Sequence, residues 1–221
     1  MDLSSVQSFI GIDLHKTTLT CAVREKNKDI REVKKIDTKC VVKIVDFMKQ
    51  QPGPIACAIE SVGMYEWLWD LLEPYVDYLF LADAAEVKRK RKRGKAKTDK
   101  NDALLMARLM IIDDLPIAYV PEKKYRTLRK LGRHYHRVSK LTAATKVQMR
   151  WILNQHNIRG PVDLNAHDSG KWLLAHIDKL DSSSVFAFRQ HLGTTQKLEL
   201  DKAAIVQEIK VLAKDPEFKT A

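Results

Sequence analysis

The chain has 221 residues, 45% of them hydrophobic, and carries 39 Lys/Arg against 28 Asp/Glu for a net charge of +11. That apolar share supports a packed core and excludes wholesale disorder. No run of about 18 apolar residues occurs, which argues against a membrane span. Residues 1–7 combine neither a basic start nor an apolar core, so no secretory signal is expected. Cys21, Cys40 and Cys57 form no CxxC pair, which disfavours a disulfide framework or a zinc knuckle and fits a reducing cytosol.

Taken in chain order, Ser8–Leu14 (SFIGIDL) predicts a buried strand, Leu19–Arg24 a second and Ile30–Ile36 a third, joined by short polar connections as in an antiparallel meander. Apolar residues at 41, 42, 44, 45 and 48 predict a helix over Val41–Lys49, stopped by Pro52-Gly53-Pro54. Ile55–Ile59 (IACAI) reads as a short strand buried on both faces. Gly63–Leu72 places Tyr65, Leu68, Trp69 and Leu72 on one helical face, Val76–Ala82 reads as a fifth strand, and Asp102–Ile112 as a helix. Crossover helices between strands of one sheet make their pairing parallel. The order β-β-β-α-β-α-β-α therefore predicts an α/β, ribonuclease-H-like mixed five-stranded sheet with flanking helices.

Beyond Pro121 the pattern changes. Between Glu122 and Asn157 there is no proline and one glycine, Gly132. Leu128, Leu131, Tyr135, Val138, Thr142, Thr145, Met149 and Ile152 alternate steps of three and four, a heptad-like seam. This predicts a long helix that pairs with another, in the same chain or in a partner. Three shorter helices are expected after Gly160-Pro161, over Lys171–Lys179, Ser184–His191 and Leu198–Lys214.

The charge is concentrated. Glu86 to Val162 holds 21 Lys/Arg and six Asp/Glu, while Lys123 to Val162 alone has 11 Lys/Arg and no carboxylate. Such asymmetry is the electrostatic footprint of a nucleic-acid-binding protein. The candidate backbone contacts are Lys88, Arg89, Lys90, Arg91, Lys92, Arg93, Lys95 and Lys97 in a polybasic run. Arg126, Arg129, Lys130, Arg133, Arg137, Lys140, Lys146 and Arg150 join them on the long helix, where no acidic i,i+4 partner is at hand.

Asp13 closes the first strand and Glu60 the fourth. As parallel neighbours they emerge at one carboxyl edge, where α/β folds bind ligands. Asp99 and Asp102, three residues apart at a helix start, share a face. Four converging carboxylates repel and raise one another's proton affinity. Divalent cations resolve this, since Mg²⁺ favours carboxylate oxygens and two ions about 4 Å apart can activate a nucleophile and stabilise a leaving oxygen. Each acid alone has a structural explanation: Asp13 can cap a turn, Glu60 pair with a lysine, and Asp99 and Asp102 serve a helix N-terminus.

The blocks Gly11-Ile-Asp-Leu-His-Lys16, Glu60-Ser-Val-Gly63 with Tyr65, and Lys97-Thr-Asp-Lys-Asn-Asp-Ala103 resemble the three signature blocks of the DEDD insertion-sequence transposases, the mobile-element recombinases guided by a structured bridge RNA. The resemblance implies a RuvC-like nuclease domain over residues 1–118 and a helical, coiled-coil region over 119–221 for oligomerisation and nucleic-acid binding. It implies that Asp13, Glu60, Asp99 and Asp102 are a catalytic tetrad binding Mg²⁺. It implies element DNA, target DNA and a guide RNA as partners, self-association through the long helix, and a prokaryotic cytoplasmic, nucleoid-associated location. The family's second catalytic unit bears a Pro-Gly-Ile-Gly-type motif and a nucleophilic serine. Nothing like it occurs before Ala221, so this chain is expected to lack the serine domain.

Other residues carry weaker signals. Ser182, Ser183 and Ser184 read as an N-cap cluster. His134 and His136 read as surface or phosphate-facing groups, and His15 as a residue that touches the site or orients the strand end. Lys16 is a candidate phosphate contact. Trp67, Trp69, Trp151 and Trp172 divide between base stacking and core; Cys21 and Cys57 read as buried hydrophobes. The expected function is Mg²⁺-dependent cleavage and strand transfer during RNA-guided DNA transposition. The alternatives are a stand-alone junction-resolving nuclease and a non-catalytic RNA-binding dimerisation module.

Overall fold

A computed structural model of the chain describes residues 3–26, 30–91, 98–160, 164 and 166–218. They fall into two compact units, residues 1–120 and 121–221.

The first unit is a five-stranded sheet in the order β3-β2-β1-β4-β5, made by β1 (Ser8–Leu14), β2 (Thr18–Arg24), β3 (Ile30–Asp37), β4 (Ile55–Glu60) and β5 (Tyr78–Ala82). The β1–β2 and β2–β3 pairs are antiparallel; β1–β4 and β4–β5 are parallel. A meander followed by two strands added through helices is the ribonuclease-H-like arrangement the sequence predicts. Alternation along each strand sorts the side chains. Ile10, Ile12 and Leu14 of β1 face Ile44, Phe47 and Met48 of α1 (Val41–Lys49), with Leu68 and Leu72 of α2 (Tyr65–Leu72) in the same core. Phe9 of β1, Ala56 and Ala58 of β4 and Ala82 of β5 share the second core with Met106, Ala107 and Met110 of α4 (Asp99–Ile111). Burying one large aliphatic side chain contributes about 1.5–3 kcal/mol, so both faces resist separation from their helices.

One element was not anticipated: α3 (Ala84–Arg89), capped by Asp83, whose carboxylate accepts from the Ala85 and Glu86 backbone N–H groups. Six residues are too few to show a period. As a result Lys88 and Arg89 of the polybasic run lie on a helix and Lys90 caps its end. Lys92, Arg93, Lys95 and Lys97 lie outside the described residues.

The second unit holds α5 (Lys123–Gln155), α6 (Ala166–His176) and α7 (Ser182–Leu212). Thr195 Oγ1 donates to Thr145 Oγ1 at 3.1 Å, Lys202 lies over the Tyr135 ring and Ser184 beside His156, so α5 and α7 run antiparallel. Every residue of the predicted seam is buried or half-buried, and its partner helix comes from the same chain. Where two helices were expected over Ser184–His191 and Leu198–Lys214, α7 is continuous. Gly193 costs a helix about 1 kcal/mol relative to alanine, and burial of Phe188 and Leu192 before it and Ile205 after it outweighs that cost. The helix expected over Lys171–Lys179 begins earlier and gives way to a 3-10 turn over Ile177–Lys179.

Candidate functional site

Asp13, Gly11 and Phe9 alternate onto the α4 face of β1, and Glu60, Ala58 and Ala56 do the same on β4. Ile12 pairs with Ile59 in the parallel register, so the next residues, Asp13 and Glu60, end side by side at the carboxyl edge. The helix carrying the other two acids lies close because β1 has a glycine beneath it. A Cβ on Gly11 would fall 2.0 Å from the Ala103 carbonyl oxygen and 2.9 Å from the Ala107 nitrogen. Only Gly lets the strand and helix backbones approach this closely. Thr98 starts α4, its hydroxyl accepting from the Asn101 backbone N–H, and the first turn brings Asp99 and Asp102 to the same cleft.

That cleft, of about 320 Å³, is lined by all four acids together with His15, Lys88 and Arg91. Asp13 and Asp102 are buried, at 3% and 6% exposure. Burial pushes the Glu60 carboxyl up to about 7; the Asp13 charge and a hydrogen bond shared with Asp13 push the same way. Burial also raises Asp13, against the pull of His15. The two outer acids have cationic neighbours. Lys35 Nζ stands 3.2 Å from Asp99 Oδ2 and holds that carboxyl below its usual range. Arg91 Nη2 donates to Asp102 Oδ1. His15 Nε2 lies 3.4 Å from Asp13 Oδ2 and 3.1 Å from Asp99 Oδ1. Among the described residues, ligating atoms of Asp13, His15 and Asp99 come within 4.8 Å of one another.

Of the other singled-out residues, Arg126 is buried at 7% exposure, so it does not face solvent phosphates as expected. Lys146 is directed at Glu199, 3.6 Å away. Arg129, Lys130, Arg133, Arg137, Lys140 and Arg150 are exposed on α5, as are His134 and His136. Trp69 and Trp172 pack against cores, whereas Trp67 and Trp151 are exposed. Cys21 and Cys57 are buried free thiols. Ser182, Ser183 and Ser184 open α7, and Asp181 is its cap. Ser184 Oγ and Asp181 Oδ2 both meet Nε2 of His156, at 2.8 and 3.2 Å. With both partners on one ring nitrogen, this trio cannot relay a proton through the imidazole as a Ser-His-Asp triad does.

Sequence signals for the acids were strand ends and the helix-start spacing. His15, two residues after Asp13, carries a local signal for contact with the site; its reach to Asp99, and Arg91 as the partner of Asp102, have none. No helix among the described residues is long and apolar enough to cross a membrane. A transposase family model, that of the IS110-type DEDD transposases, matches residues 10–158. No curated protein matches the chain.

Proposed function

The chain belongs to the IS110-type DEDD transposase family, a class that binds and recombines DNA, and we propose that its acidic cleft is a divalent-cation site for phosphodiester cleavage and strand transfer. The observation that carries this reading is the meeting of Asp13, Glu60, Asp99 and Asp102, from three elements, in one cleft. The donor set suits a hard ion such as Mg²⁺, because it is dominated by carboxylate oxygens. The raised proton affinity of Glu60, which comes first from burial and then from the Asp13 charge beside it, fits the same reading. Asp13, Glu60, Asp99 and Asp102 would hold the ion, with His15 in reach of two of them.

Divalent ions bound there would polarise a phosphoryl oxygen, and a pair of them would support both the attacking and the leaving oxygen. The side chains around it do the remaining work. Lys88 and Arg91 line the same cleft and offer charge to the non-bridging oxygens of a phosphodiester. Lys35 and His15 restrain Asp99. Glu60, its carboxyl pushed up to about 7 by burial, would release its proton when the cleft gains positive charge. The exposed cationic face of α5 and the Lys88–Lys97 run would grip DNA and a structured guide RNA, and a serine from a further domain would complete strand exchange. Self-association through α5 would use a face other than the seam, which α7 fills.

Calorimetric titration of Mg²⁺ or Mn²⁺ into the chain tests the site. Binding is expected in the wild type and its loss in Asp13→Asn and Asp102→Asn; variants that bind as the wild type does would remove the site. A non-catalytic, RNA-binding reading draws on the Lys35–Asp99 and Arg91–Asp102 pairs, and it predicts no divalent-ion binding at all.

A further inference from the structure

Arg91 lines two clefts. One is the acidic cleft; the other, of about 250 Å³, is bounded by Arg24, Arg91, Lys100 and Arg108 with Leu104 and Leu105. We propose that this second cleft binds a backbone phosphate of a nucleic-acid strand, with Arg91 joining that phosphate to the carboxylate site. The proposal rests on the nucleic-acid reading above and adds Arg24, Lys100 and Arg108 to it.

Three observations support this. First, four cationic side chains surround the cleft and, among the described residues, no carboxylate lines it. Second, among the described residues, Nε of Arg24 and Nε of Arg91 are both buried without a hydrogen-bond partner. A buried N–H without an acceptor is unfavourable, more so on a charged group, so both guanidinium groups that line the cleft keep donor capacity which a phosphate, with its several oxygens, can meet. Arg91 already donates from Nη2 to Asp102, and its Nε is a separate donor, so one guanidinium can serve both clefts. Third, the placement is built. Lys100, Leu104 and Arg108 recur every four residues on one face of α4. Arg24 ends β2 at an irregularity between Val23 and Arg24, the kind of feature that re-aims a side chain beside a site.

Guanidinium groups match the oxygens of a phosphate in a fixed fork. The buried Leu104 and half-buried Leu105 provide an apolar floor for a sugar. A strand running past Arg91 would then place neighbouring phosphates on the two sides of that residue.

The experiment is anisotropy of a labelled single-stranded 12-mer, as DNA and as RNA, against the full 221-residue chain at several salt concentrations. Lys100→Gln with Arg108→Gln, both exposed positions, should weaken binding about tenfold. It should also flatten the slope of log affinity on log salt by about 1.4, since each lost single-strand contact contributes about 0.7. Lys39→Gln with Lys43→Gln removes the same charge from exposed positions at and before α1 and should leave the slope unchanged. Arg24→Gln, a single lost contact, should weaken binding and flatten the slope by about 0.7, with its melting temperature recorded alongside. A loss with DNA alone or RNA alone supports the site and names its strand. The proposal is overturned if the α4 pair matches the control pair, or if an acidic peptide such as oligoglutamate competes as well as the oligonucleotide. Mg²⁺ titration of the α4 pair should match the wild type, so failure of this cleft and failure of the acidic site are read separately.

Discussion

The carboxyl groups of Asp13 and Glu60 stand side by side at the ends of parallel strands, placed to share a proton between them. A hydrogen bond between two carboxyl groups needs a proton on one of them, and the raised value of Glu60, about 7, makes it the holder. Burial and the neighbouring carboxylates disfavour a second negative charge on the pair, against the pull of His15. The same arrangement that strains an isolated chain is what a cation would relieve.

Stability should therefore depend on pH in a definite direction. The folded-state value of Glu60, about 7, lies above its ordinary 4.5, so the native state retains a proton that the unfolded chain releases. The contribution is complete below about pH 4.5 and is lost as pH rises through 7, by no more than about 3 kcal/mol. Urea unfolding in EDTA at pH 4.5, 6 and 8 should show this decline, and Glu60→Gln should flatten it. A slope that Glu60→Gln leaves unaltered would contradict the shared proton.

Gly11→Ala should damage fold and site together. The added carbon meets backbone atoms of α4 at 2.0 and 2.9 Å, which no rotamer change can relieve. Overpacking of this kind costs about 1–3 kcal/mol or more. A lower urea midpoint with weakened Mg²⁺ binding is expected, because α4 carries Asp99 and Asp102.

Arg91→Gln removes the cationic partner of a buried carboxylate. In EDTA the melting temperature should fall, corresponding to about 1–3 kcal/mol for an unpaired buried group. Added Mg²⁺ should raise it by more than in the wild type, since no guanidinium then competes for Asp102. Equal Mg²⁺-induced shifts in the two proteins would show that Arg91 does not compete for the site.

Gly132→Ala and Gly193→Ala should stabilise the second unit. Both positions are exposed and helical, and among the described residues an added Cβ would meet nothing within 4 Å. A gain of about 0.5–1 kcal/mol at each is expected from helix propensity alone. Thermal unfolding monitored by helical circular dichroism checks it, and a loss at Gly193 would indicate a bend in α7 that needs glycine.

Much of the molecule was legible from local pattern. Strand alternation, the stop at Pro52-Gly53-Pro54 and the seam from Leu128 to Ile152 are periodic signals spread over many residues, so each survives a few exceptions. The carboxylates were legible because strand ends and a helix start are themselves predictable places. Short or singular features were not. The six-residue α3 shows no period, Gly193 interrupts a helix by propensity yet not in fact, and Arg126 carries a charge but lies buried.

By itself, the order of residues determined which side chains share a face, because strand and helix periods are local geometry. It thereby placed four acids at one edge of a sheet. Which foreign group each face would meet was decided only by tertiary packing. Gly11 admits α4, Arg91 reaches Asp102, Lys35 reaches Asp99, and α7 rather than a second copy fills the seam of α5. Those meetings join segments far apart along the chain, and their energies come from burial and charge at contact, which no local period encodes.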